Sequence, residues 1–153
     1  MKLHNVIVRT AVAHAGMTVR EVFRECVRTH LPALPYCDAA GQVQGRVTLK
    51  QVMKSSCLPE YMIELAHLLG PQMSCLDAAE AKARQVLDSP IEPFVLEAPE
   101  TIGSDAPLVA ALALMEQHDT SYLFVVDDGR YRGTVTIQGI AQRMLQVDEA
   151  RAS

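Results

Sequence analysis

Two threonines close matching phrases in this chain, Gly45-Arg-Val-Thr48 and Gly133-Thr-Val-Thr136. A threonine hydroxyl can both donate and accept a hydrogen bond, although threonine also suits a strand for packing reasons alone. Gln51 and Gly139 stand three residues further on. Lys50 and Arg46 flank Thr48 and can meet a phosphate, or simply belong to a solvated face. The common catalytic patterns are missing. His4, His14, His30, His67 and His118 form no H-E-x-x-H spacing, and the chain has neither G-x-S-x-G nor G-x-x-x-x-G-K-[ST]. Cys26, Cys37, Cys57 and Cys75 make no C-x-x-C pair. They read as small buried hydrophobes in a reducing compartment; a redox switch, a metal site or a Cys–His pair assembled only by the fold stays open. The expectation is a protein that is not an enzyme and holds no metal.

The elements that position the threonines recur. Gly41-Gln-Val-Gln-Gly45-Arg-Val-Thr-Leu49 and Gly129-Arg-Tyr-Arg-Gly133-Thr-Val-Thr-Ile137 share the pattern G-x-h-x-G-x-V-T-h, with h apolar or aromatic. Upstream, Leu34-Pro-Tyr-Cys-Asp38 parallels Leu123-Phe-Val-Val-Asp127. Val19, Val22, Phe23 and Cys26 fall opposite Leu108, Ala111, Leu112 and Met115, each set on one face of a helix. Val6-Ile7 falls opposite Val95-Leu96. Each copy reads as strand, helix, strand, turn, strand, helix. Asp127-Asp-Gly129 and Asp38-Ala-Ala-Gly41 supply the turns. The last helix carries Ile140, Ala141, Met144 and Leu145 on one face. Repeat 1 spans about 5–53 and repeat 2 about 93–146, with a helical insert at about 54–92. In the insert, Glu60–Leu69 is apolar on most sides. Ser74 is placed to cap a second helix bearing Leu76, Ala79, Ala83 and Val86.

Composition narrows the class. A chain of 153 residues, 49% hydrophobic and 21% charged, can bury one core without staples. Each repeat alone is small for that, so the whole is taken as a single module. The net charge of −4, without a Lys/Arg run, argues against nucleic acid. The longest apolar run, Leu108–Met115, is far short of the ~20 residues a membrane span needs. The N-terminus lacks the pattern of a signal peptide, so the expected location is the cytoplasm.

The ordered repeat L-x-V-V-D-x-G-x-x-x-G-x-V-T, between amphipathic helices, resembles the cystathionine-β-synthase (CBS) domain. The segment from Thr101 to Ala141 carries the likeness best; Val12 to Met53 carries it more weakly. The resemblance implies an α+β fold of two β-α-β-β-α units packed with pseudo-twofold symmetry, a Bateman module. It implies a regulatory role, a homodimer, and an adenine nucleotide (AMP, ADP or ATP) bound between the repeats. The alternative is a ligand-free interaction module that dimerises and holds a partner protein. The family's G-x-x-T/S-x-x-D motif keeps its threonines here, as Thr48 and Thr136. The ribose-gripping aspartate is replaced by Gln51 and Gly139, which implies weaker binding and favours the Thr48 cleft. The likeness also carries over Thr101, Ile102, Tyr122 and Leu123, with Val12, Ala13, Leu34 and Pro35 as counterparts. Each of these also suits core packing.

Overall fold

Thr18 starts the first long helix. Its hydroxyl accepts from the Glu21 N–H, and the Glu21 carboxylate accepts from the Thr18 N–H, a reciprocal cap. The helix, α1 (Val19–Thr29), ends at His30, whose left-handed φ of 57° stops it. These elements belong to a computed structural model that describes residues 2–56, 84–97 and 100–152. The insert helix Glu60–Leu69, the cap at Ser74, and Leu76, Ala79, Ala83, Cys57 and Cys75 lie outside the described residues.

After α1 come β1 (Ala33–Cys37), β2 (Val43–Thr48) and α2 (Leu49–Ser56). Beyond the insert follow β3 (Leu96–Glu97), β4 (Thr101–Ile102), α3 (Leu108–Gln117), β5 (Tyr122–Asp127), β6 (Arg130–Thr136) and α4 (Ile137–Ala152). The strands form two sheets, ordered β1-β2-β3 and β4-β5-β6. The class is α+β, as the repeat pattern implies. Leu34-Pro-Tyr-Cys forms a strand despite Pro35, because β1 lies at the end of its sheet's strand order, where a missing N–H is tolerated.

The chain divides into two compact units, each with its own core. The first comprises Val12–Tyr36 and Gly45–Glu97; the second comprises Met1–Ala11, Cys37–Gln44 and Ala98–Ser153. The first packs Val19, Val22, Cys26, Leu34, Val47, Val52, Val86 and Ile91. The second packs Leu3, Val6, Ile102, Ala111, Met115, Leu123, Val125, Val135 and Ile140. Burial pushes the Cys26 thiol up to about 12, with Glu25 adding to the shift, and also raises Cys37, beside Asp38. Both described cysteines are free and buried, which fits their reading as small hydrophobes.

The two leading segments join the other repeat's sheet. Leu96 and Glu97 pair antiparallel with Arg46 and Gly45 of β2. Val8 exchanges hydrogen bonds with Thr134 of β6, 2.9 and 2.8 Å. The sequence alignment places Val6-Ile7 and Val95-Leu96 within their own copies; hydrogen bonding puts them across. The repeated second glycine explains how they fit. A Cβ on Gly45 would run into the Leu96 carbonyl and reach 3.0 Å from Val95 Cγ1. A Cβ on Gly133, which has φ of +154°, would run into Ile7 Cγ2 and reach 3.1 Å from the Val8 carbonyl. Glycine lets a foreign segment approach the backbone at both places.

Two expected helix faces are only partly buried. On α3, Ala111 and Met115 are buried but Leu112 is 38% exposed. On α4, Ile140 is buried while Ala141, Met144 and Leu145 face outward. A near-continuous apolar stretch such as Leu108–Met115 covers the whole helix circumference, so one core cannot bury all of it.

Candidate functional site

The two threonines have the same local job. Thr48 Oγ1 accepts from the Gln51 N–H at 3.0 Å, and Thr136 Oγ1 accepts from the Gly139 N–H at 2.9 Å. Each ends a strand and caps the helix that follows. A hydroxyl used this way still has its own proton to donate and one lone pair left. Each helix start is also tied back to the residue preceding its partner strand. The Leu49 N–H donates to the Pro32 carbonyl and the Ile137 N–H to the Ser121 carbonyl, both at 3.0 Å.

In the first unit, this brings the Thr48 helix start beside the beginning of β1. Ala13 N–H donates to the Pro35 carbonyl at 2.8 Å, and Ala13 bridges Tyr36 in parallel. Ala13, Leu34 and Pro35 are buried and Val12 is half-buried. Lys50 is exposed. The Gln51 side chain turns along its own helix, donating from Nε2 to Ser55 Oγ at 3.1 Å.

In the second unit, Tyr122 pairs directly with Thr136 across the hairpin, and Thr101 and Ile102 lie beside Phe124 and Val125 on parallel β4. Leu123 and Ile102 belong to the core. Tyr122 is 9% exposed and its ring lies 5.6 Å from that of Phe124, so its aromatic face is spent largely on packing. Thr101 is exposed. Gly139 has ordinary helical backbone; a Cβ there would sit 3.1 Å from Thr136 Oγ1 and 3.7 Å from the Val6 carbonyl.

Sequence reasoning does not single out the neighbours of Gly139. A cavity of about 170 Å³ opens there, lined by Asn5 to Val8, Gly139, Gln142, Arg143 and Gln146. It is too small for a nucleoside and large enough for a phosphate group. The Arg143 Nε is buried and has no hydrogen-bond partner among the described residues, while Nη1 donates to Gln146 Oε1 at 3.5 Å. The i, i+4 spacing of Gly139 and Arg143 was the available signal. In the first repeat the matching position is Ser55, which carries no charge.

No functionally curated protein matches the chain. The profile of the CBS domain matches residues 90–146. Residues 90–146 form a CBS domain. The fold of the chain as a whole is like that of solved CBS domain pairs. The CBS domain of a CBS-domain-containing membrane protein from Sphaerobacter thermophilus is 15% identical, with a TM-score of 0.67, covering 93% of this chain and 86% of that one. A putative acetoin utilization protein (AcuB) from Vibrio cholerae is 14% identical, with a TM-score of 0.68, covering 99% and 96%. The CBS domain pair of protein MJ0100, solved in complex with 5′-methylthioadenosine and S-adenosyl-L-methionine, is 20% identical, with a TM-score of 0.61, covering 94% and 95%. On this fold, Thr48 and Thr136 end equivalent strands of the two repeats, β2 and β6. Among the described residues no cluster of His, Cys, Asp or Glu is arranged to hold a metal ion. No described helix is long and apolar enough to cross a membrane.

Proposed function

We propose that this chain is a cytoplasmic regulatory module, without catalysis of its own, that binds an adenine nucleotide at the helix starts following β2 and β6. The observation that carries the reading is the pair of strand-terminal threonines, each capping a helix with a hydroxyl that retains a free donor. That a solved CBS domain pair of this fold holds two adenosine-containing ligands supports it. Thr48 and Gln51 supply neutral hydrogen-bonding groups for a ribose. At the other helix start, within the second unit, Thr136 supplies a hydroxyl and Arg143, beside the small cavity at Gly139, a charge for a phosphate. Isothermal titration of the whole chain with AMP, ADP and ATP tests the reading. Saturable binding of at least one, weakened in Arg143→Gln, supports it; no heat with any of the three at millimolar nucleotide overturns it.

A second reading, a ligand-free interaction module, is favoured by a different observation. Val109, Ile137, Met144 and Leu145 expose 69, 44, 60 and 64% of their surface on α3 and α4. Exposed apolar side chains grouped on helices mark contact surfaces. On this reading the chain forms a homodimer and regulates a partner protein. Sedimentation tests the dimer: a monomer at high micromolar concentration refutes it.

A further inference from the structure

We infer that the second unit holds a separate site for a small phosphate monoester, at the far end of the β5–β6 hairpin from Thr136. A cavity of about 500 Å³ lies there, lined by His4, Ile7, Arg9, Ser104, Asp127 and Arg132. Its volume falls within the range of small-molecule sites. Tyr122 and Thr136 pair at one end of the hairpin and Asp127 and Arg130 at the other. Five residue steps of strand separate those ends by about 17 Å, and of this cavity's lining residues Ile7 alone also lines the small cavity beside Gly139.

The cavity's polar side chains come from the N-terminal segment, from the turn at Ser104 and from the β5–β6 hairpin. His4 sits in a short 3₁₀ turn, Arg9 follows the Val8–Thr134 bridge, and Arg132 lies in β6. Asp127 is already engaged: Oδ1 accepts the Ser104 N–H at 3.0 Å, Oδ2 accepts the Ser104 hydroxyl at 2.6 Å, and Arg132 Nε lies 3.4 Å from Oδ2. Asp127 therefore balances Arg132 and anchors it by one nitrogen. Arg9 has no ion pair or hydrogen bond among the described residues. One guanidinium charge is left uncompensated in a cavity that also offers an imidazole. Planar guanidinium donors approaching from two different segments suit the several oxygens of a tetrahedral oxyanion better than the two coplanar oxygens of a carboxylate. The remaining volume accommodates the group the phosphate is esterified to.

The test is an NMR titration of the whole ¹⁵N-labelled chain with inorganic phosphate at low ionic strength, with acetate as the second probe. The expected result is a saturable shift of the Ser104, Asp127 and Arg132 amides with phosphate. The dissociation constant should rise at least tenfold in Arg9→Gln and severalfold in Arg9→Lys, which keeps the charge but loses the fork. Thr136→Val should leave it unchanged, which separates this site from the nucleotide site. Shifts that do not saturate, an Arg9→Lys variant that titrates like the parent, or equal saturation by acetate would each overturn the proposal.

Discussion

Replacing Gln51 by Asp restores the acid that the CBS motif places three residues after its threonine. Gln51 is the third residue of α2, and its N–H is held by Thr48 Oγ1 at 3.0 Å. The change deletes one exposed side-chain contact, Gln51 Nε2 to Ser55 Oγ, worth about 0.5 kcal/mol at most on a solvated surface. It adds a carboxylate to the first turn of a helix that has no acidic residue there, a gain of about 0.3–1 kcal/mol. The two nearly cancel, so folding stability should move by less than about 1 kcal/mol and any binding effect is readable. A hydrogen bond to a charged acceptor contributes about 1.5–3 kcal/mol against about 0.5–1.5 for a neutral one. The difference, about 1–2 kcal/mol, is roughly a fivefold to thirtyfold fall in the dissociation constant for an adenine nucleotide. The assay is isothermal titration of parent and variant with the same nucleotide, with circular dichroism to verify the fold. A folded Gln51→Asp variant that binds no more tightly would mean that no ribose sits at this helix start, and the interaction-module reading would stand in its place.

Gly133→Ala should cost about 2–4 kcal/mol, from overpacking against Ile7 and Val8 together with an unfavourable φ, and it should release the amides of Val8 and Thr134 to hydrogen exchange; an unchanged urea midpoint with protected amides would refute the close-approach role. Thr136→Val should destabilise by about 1 kcal/mol through loss of the helix cap even without ligand, whereas Thr136→Ser should be close to neutral, as read by denaturant melts. Hydrogen bonds from Ser104, and to a lesser degree Arg132, hold the Asp127 carboxyl below its ordinary range. The stability this confers is therefore complete above the unfolded-state value and is lost as pH falls through the folded one. Asp127→Asn should flatten the acid limb of the stability curve, and a variant as acid-sensitive as the parent would contradict it. Cys26, with its thiol pushed up to about 12 by burial, should resist alkylation at neutral pH until the chain is unfolded, as peptide mapping by mass spectrometry would show.

The repeat, its helices and its hairpins are legible in the sequence because they are local. Val19, Val22 and Cys26 at helical spacing, and Asp127-Asp-Gly129 at a turn, specify their structure through neighbours a few residues away. The threonine motif is legible for the same reason, since a strand-terminal Thr caps the N–H three residues on in both copies. Three things were decided only by tertiary structure. Val8 and Leu96 join the sheet of the opposite repeat, because unpaired strand edges accept whichever segment the folded chain delivers, and glycine at 45 and 133 leaves room for it. Arg143 acquires its cavity from residues 5–8, which are more than 130 positions away in the chain. His4, Arg9, Asp127 and Arg132 surround one cavity although no spacing in the sequence connects them. A periodic pattern records which side of an element is apolar; it does not record which distant segment comes to lie against it, and a binding site depends on that second fact.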